Sequence, residues 1–159
     1  MNDVVARRAG LADIPRLIEL RALMVAEMGD DFDSVPGLRE AAAAWFARRM
    51  ADPRGFAAFV AEVPGEGVVS CAIGTVEDHA PSPRSPSGLR GELANVCTER
   101  AFRGRGLARA CVEALLAWFR DETDATLVRL AATEDGAPLY RSLGFVPPRD
   151  LILQLRLAR

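Results

Sequence analysis

Lysine is absent from this chain: all 20 of its basic residues are arginine. The protein therefore carries no acetyl-lysine of its own. The glycine-rich stretch in its second half is not a P-loop either, because no Lys-Ser/Thr pair follows the glycines. Histidine occurs once, as His79 in a Pro/Ser-rich stretch, and no spacing of His, Cys and acidic residues suggests a metal site. Cysteine occurs three times, as Cys71, Cys97 and Cys111, each within an apolar run. An odd number without a secretory leader predicts reduced thiols and a cytoplasmic protein. No apolar run is long enough to span a bilayer, so no membrane association is expected. Charge of one sign is not in excess. The net value of −2 gives no general attraction to nucleic acid or to anionic membranes.

What is present fits one domain over residues 1–159, long enough to bury roughly 70% of the surface its unfolded chain would expose. Asp3 to Arg8 reads as a strand. Asp13 is placed to cap a helix with Leu17, Leu20, Met24 and Met28 on one stripe, ended by Gly29. Asp30, Asp31 and Asp33 crowd the linker that follows, and its last residues, Ser34 above all, are read as the cap of a second helix, about Pro36 to Met50, with Leu38, Ala42, Trp45 and Phe46 inward. Phe56 to Val63 and Val68 to Val76 are β-rich runs joined by Pro64-Gly65-Glu66-Gly67, a hairpin signal. His79 to Gly88 is irregular, and Leu89 to Thr98 is the next strand. A long helix follows to about Thr123, then a strand over Ala125 to Ala132. A short helix from Asp135 to Leu143 is closed by Gly144. Phe145 and Leu151 to Leu157 are expected to supply the last strands, separated by Pro147-Pro148.

Arg103-Gly104-Arg105-Gly106-Leu107-Ala108 stands between the Leu89 to Thr98 strand and the long helix. Glycines let backbone N–H groups approach an anion without a Cβ in the way. The first turn of a helix adds unpaired N–H groups and the positive end of the dipole. That combination suits a phosphate or pyrophosphate, and Arg103 and Arg105 add donors and charge. The dinucleotide fingerprint is excluded, because its third glycine is Arg109 here. An RNA-binding R-G-R-G segment is disfavoured, because such segments sit in disordered tracts and this one opens an apolar helix.

R-x-x-G-x-A resembles the acyl-CoA loop of the GNAT superfamily of N-acetyltransferases. The block Ala137-Pro138-Leu139-Tyr140-Arg141-Ser142-Leu143-Gly144-Phe145 is similar to that family's L-Y-x-x-x-G-F block, and it lies at the expected separation. The order of predicted elements matches too. The resemblance implies an α/β fold: a central, mixed and mostly antiparallel sheet with splayed middle strands, flanked by helices. It also implies acetyl-CoA as cosubstrate, without a metal, and transfer of acetyl to a primary amine of a small molecule or peptide by direct attack.

On that resemblance, Asn95, Val96, Cys97 and Thr98 offer backbone groups to the pantetheine arm, and Arg103, Gly104, Arg105, Gly106, Leu107 and Ala108 hold the pyrophosphate. Thr133 stands where many members have an asparagine that holds pantetheine. Glu92, eleven residues before Arg103, matches the general base, acting directly or through water; its alternative is a strand-edge glutamate in solvent or paired with an arginine. Tyr140, the only tyrosine, matches the acid that protonates the departing thiolate; its alternative is a core aromatic. Cys97 reads as a buried strand cysteine. The Asp30, Asp31 and Asp33 cluster reads as a solvated linker; its alternative is a site that attracts a cationic amine. Two other functions keep the loop: a non-catalytic acyl-CoA sensor, which needs neither Glu92 nor Tyr140, and a toxin-like enzyme that acetylates aminoacyl-tRNA, which wants a basic face. A homodimer is left open.

Overall fold

The structure, a computed structural model, describes residues 4–158. Among these, the chain runs β1 (Ala6–Arg8), α1 (Ile14–Glu27), α2 (Leu38–Met50), β2 (Phe56–Val63), β3 (Gly67–Asp78), β4 (Leu89–Thr98), α3 (Leu107–Glu122), β5 (Val128–Arg129) and α4 (Ala137–Ser142). Short 3₁₀ turns precede α1, α2 and α3. The five strands form one sheet in the order β1-β2-β3-β4-β5. The first four pair antiparallel, and β5 runs parallel to β4.

Strand β2 shows why helices cover both faces. Its side chains alternate: Phe56, Ala58 and Val60 join the core under α1 and α2, while Ala57 and Ala61 join the core under α3 and α4. A strand apolar at successive positions must be buried on both sides. On the first face, Trp45 and Phe46 of α2 meet Phe56 edge-on, with ring centroids 5.5 Å and 6.3 Å away. On the second face, α3 buries Leu107, Cys111, Val112, Leu115, Trp118 and Phe119. That helix sits close because the sheet beneath it has glycine at two places. A Cβ on Gly91 would lie 2.5 Å from Phe119 Cε1, and one on Gly74 would lie 2.8 Å from Phe119 Cζ.

Several boundaries differ from the sequence expectation. Asp3 lies outside the described residues, and the first strand is described from Ala6. Asp13 does not bond the first amides of α1; its carboxylate accepts from Gly10 N–H and pairs with Arg7. Met28 is the C-cap of α1 and is exposed, off the inward stripe. Ser34 does not cap α2, which begins after Gly37. Asp31 caps the intervening 3₁₀ turn instead, accepting from Asp33 N–H. The predicted eight-residue strand over Ala125 to Ala132 pairs only at Val128 and Arg129. The predicted last strands are not formed: residues 145–158 have no regular structure. Strand formation needs a paired neighbour, and this segment has none.

Candidate active site

The site is built where β4 and β5 part. Their pairing ends at Glu92 opposite Arg129. Strand β4 continues through Leu93–Thr98 with β3 on one side only. Backbone groups on its other edge therefore face an opening. A bulge falls in this stretch: Cys71 pairs with Cys97 and Ile73 with Ala94, so Asn95 and Val96 oppose the single residue Ala72. Asn95 takes φ of +49°, a left-handed conformation that asparagine tolerates better than most residues. Its side-chain oxygen accepts a hydrogen bond from Arg21 of α1, which fixes the bulge from the helix side. Beside it, Ser70 and Thr98 share a buried hydroxyl pair at 2.7 Å, and Ser70 also donates to the Cys97 carbonyl.

The Gly-rich loop follows directly. Gly104 and Gly106 have φ of +73° and +80°, and open space surrounds the position of a Cβ at each. Gly106 is the N-cap of α3, so the amides at the head of that 16-residue helix lack intrahelical acceptors. The first intrahelical bond is Ala110 N–H to the Gly106 carbonyl, at 3.0 Å. Arg103 does not extend freely into this space. Its Nε donates to the Thr98 carbonyl at 2.9 Å, and its Nη2 donates to Glu27 Oε1 at 2.7 Å. Arg100 donates to the same Glu27 oxygen, and the two guanidinium groups hold the Glu27 carboxyl below the ordinary carboxylate range. The end of α1 thus clamps the base of the loop. Arg105 lies over the Phe102 ring, 5.2 Å from its centroid.

Glu92 stands half-buried at the closed end of the opening. Burial pushes its carboxyl up from the ordinary value, Arg129 pulls it down, and Glu77 pushes it up. Arg129 Nη2 also lies 3.7 Å from Glu77 Oε2. One guanidinium thus faces two carboxylates. Tyr140 is buried on α4, its ring edge-on to Phe145 at 5.9 Å, and burial alone pushes its phenol up. Thr133 Oγ1 accepts from Gly136 N–H at 3.2 Å, which leaves its hydroxyl proton free to donate. A Cβ on Gly136 would lie 3.3 Å from both Thr133 Oγ1 and the Tyr140 ring, so Tyr140 of α4 packs against the Thr133–Gly136 turn. The thiols are inert by placement: burial pushes Cys97 and Cys111 up to about 11, and Cys71 higher still.

A strand that loses its neighbour beyond a half-buried glutamate, a bulge next to it and a glycine loop opening a helix follow one another along the chain. Over residues 20–145 the chain matches the model of the acetyltransferase (GNAT) family. The chain belongs to that family. Solved structures share the fold of this GNAT domain. A predicted acetyltransferase from Clostridium acetobutylicum, determined with acetyl-CoA, is 21% identical, with a TM-score of 0.83 over 97% of this chain and 96% of that one. A GCN5-related N-acetyltransferase from Ralstonia eutropha JMP134 is 24% identical, with a TM-score of 0.80 over 96% and 99%. A ribosomal-protein-alanine N-acetyltransferase from Brucella melitensis is 20% identical, with a TM-score of 0.68 over 98% and 100%. At these identities the likeness is one of fold. No curated protein matches the chain.

The GNAT fold puts the residues singled out in the sequence at three places. Asn95, Val96, Cys97 and Thr98 lie on the unpaired reach of β4, with Cys97 and Thr98 buried. Arg103 to Ala108 form the loop and the head of α3. Glu92 lies on the last paired rung of β4 and β5, Thr133 in the turn before α4, and Tyr140 on α4 itself. Sequence reasoning missed Glu27, Arg21, Glu77 and Arg129. Each acts through a partner far along the chain, such as Arg103 for Glu27, 76 residues away. The strands that carry Glu92 and Arg129 were both foreseen, but not the register that sets the two residues opposite each other. A cleft of about 340 Å³ between α1 and the Glu99–Ala101 turn adjoins the loop, with neither Glu92 nor Tyr140 in its lining. Among the described residues no helix is long and apolar enough to cross a membrane, and no group of three or more His, Cys, Asp or Glu is placed to hold a metal ion.

Proposed function

We propose that this chain, as a single domain over residues 1–159, transfers acetyl from acetyl-CoA to a primary amine of a small molecule or peptide. The observation that carries the reading is the rung at which β5 leaves β4: it exposes the β4 edge and places a half-buried carboxyl at its end. The amide-rich pantetheine arm suits the open edge from Leu93 to Val96, adding to it as a short extra strand does. The pyrophosphate suits the amides of Gly104 to Ala108, at the positive end of α3. Acetyl-CoA supplies a thioester carbon that an amine attacks directly.

The residues of the chain manage protons. Glu92 accepts a proton from the attacking nitrogen, directly or through one water. Its raised pKa strengthens it as a base while leaving it ionised above that value. Tyr140 gives its phenolic proton to the departing sulfur as the carbon–sulfur bond breaks. Its ring is held by Phe145 and by the Thr133–Gly136 turn, so the hydroxyl is oriented by packing. Arg103, clamped by Glu27, shapes the loop that holds the phosphates, and Thr133 keeps a proton to donate toward pantetheine.

The test is an acetyl-CoA turnover screen over amines, amino acids, polyamines and peptides, read as release of free thiol. Turnover with at least one amine, lowered by roughly 10²–10⁴-fold in Glu92→Gln, is the expected result. An acetyl-CoA-dependent rise in melting temperature with no turnover of any amine would favour a binding module instead.

A further inference from the structure

Strand register sets one short row of polar side chains across the sheet. Thr75 lies opposite Glu92, and Glu92 lies opposite Arg129, so β3, β4 and β5 each supply one member. Opposite residues of an antiparallel pair point to the same face. Ile73, the preceding residue on that face of β3, is buried in the core under α1 and α2, which identifies the face. Those helices do not cover all of it. Ala94 pairs with Ile73 and yet is exposed, and the Glu92 and Arg129 side chains are 36% and 39% exposed. The row therefore opens to solvent on the side away from α3, next to the bulge at Asn95 and Val96.

Arg129 is held in this row without being hydrogen-bonded there. Its Nε lies 3.8 Å from Glu92 Oε2 and its Nη2 lies 3.7 Å from Glu77 Oε2, both beyond hydrogen-bond reach. The Nε is buried and has no hydrogen-bond partner among the described residues. Glu77 has other cations to hand: His79 Nε2 is 3.4 Å from the same Oε2, and Arg90 is its cross-strand partner. A fixed cation beside Glu92 opposes the reaction that Glu92 serves. An amine arrives largely as an ammonium ion, and here it meets a like charge next to the base. The conflict is removed if the amine carries a negative charge of its own. A planar guanidinium fork matches a carboxylate in particular. The spacing says where that carboxylate must be. In an α-amino acid the nitrogen and the carboxyl carbon are about 2.5 Å apart. Such a short zwitterion suits a carboxylate and a guanidinium whose facing atoms are 3.8 Å apart.

We propose that this row binds an α-amino acid as the acetyl acceptor, with its amine at Glu92 and its carboxylate on Arg129. The amine of a peptide N-terminus lacks that neighbouring carboxylate and is the poorer acceptor. The proposal rests on the acetyl-transfer reading of the same site and narrows its substrate class. The chemistry balances as before: the nitrogen bonds to the acetyl carbon, the carbon–sulfur bond breaks, Glu92 takes the nitrogen's proton and Tyr140 protonates the sulfur.

The experiment pairs each common α-amino acid with its α-carboxamide. The ratio of kcat/KM, acid over amide, is measured in wild type and in Arg129→Met at saturating acetyl-CoA. A change in the Glu92 pKa acts on both substrates of one enzyme, and each amine's own pKa acts alike in both enzymes, so neither moves the comparison. The ratio is expected to fall by roughly 10–100-fold in Arg129→Met for the amino acids that are turned over. Arg129→Lys keeps the charge and loses the planar fork; it should lose part of the ratio, and it stands in if the methionine variant does not fold. A ratio unchanged by the substitutions overturns the proposal. The same amino acids are also titrated by calorimetry into the CoA-saturated protein. Binding that is lost in Arg129→Met, without turnover of any amine, would keep the carboxylate site and sink the acetyl-transfer reading. No amino acid bound or turned over overturns the proposal, and acetylation of some other amine would then leave the acetyl-transfer reading standing without it.

Discussion

Arg129 Nε lies 3.8 Å from Glu92 Oε2, on the last paired rung between β4 and β5. It is buried and has no hydrogen-bond partner among the described residues. The guanidinium therefore acts on Glu92 as a nearby charge, opposing the burial that raises the carboxyl. A base works only when ionised, so the rate should fall as the pH drops through the Glu92 pKa. Arg129→Met removes the cation that favours the ionised form, and the acid limb of kcat/KM should move to higher pH. Glu77→Gln removes a neighbouring negative charge, and the limb should move to lower pH. If both variants keep the wild-type limb, Glu92 does not set it.

Replacing Glu92 itself separates chemistry from binding. Glu92→Gln should lower kcat at neutral pH by roughly 10²–10⁴-fold while acetyl-CoA affinity stays near wild type. An amine of low pKa should depend on Glu92 less, since it arrives already deprotonated. Full activity in the variant would remove Glu92 from the mechanism.

Tyr140→Phe deletes one hydroxyl and keeps the ring against Phe145. Stability and acetyl-CoA binding should therefore remain close to wild type. The expected loss is in kcat, by roughly 10–10³-fold. Burial raises the phenol, so its ionisation lies above the ordinary tyrosine range, and any high-pH limb it causes should vanish in the variant. A variant that melts several degrees lower at unchanged kcat would make the tyrosine structural.

Gly106→Val tests the loop. No atom lies within 4 Å of the added Cβ, so the folded chain has room for it. The strain comes from φ of +80°, which disfavours a side chain by about 1–2 kcal/mol. The side chain also enters the space proposed for the pyrophosphate. The acetyl-CoA-induced rise in melting temperature should disappear. A shift of wild-type size would place the anion elsewhere.

Gly91→Ala tests the seat of α3. The new methyl meets the buried Phe119 ring at 2.5 Å, so ring or helix must move. A loss of about 1–3 kcal/mol is expected, read as a lower melting temperature or denaturation midpoint. A variant as stable as wild type would mean that α3 is more loosely held than its packing shows.

By itself the sequence determined the order of elements, most of their bounds and the loop. Phe56–Val63 and Leu89–Thr98 were foreseen to the residue, because each is a β-rich run bounded by turn residues. The Arg103 to Ala108 loop and the Tyr140 block were visible for the same local reason: glycine, helix-stripe and turn signals act over a few residues. Glu92 and Tyr140 were legible only through the likeness of their blocks to a family. Tertiary structure alone decided the rest. Which strand ends beside Glu92, that Arg129 faces it, that Glu27 clamps Arg103 and that Arg21 holds the Asn95 bulge all depend on partners distant in the chain. The segment from Leu151 to Leu157 is the clearest case. Its alternation marks a strand, yet a strand exists only when another backbone accepts its hydrogen bonds, and no local pattern says which one does.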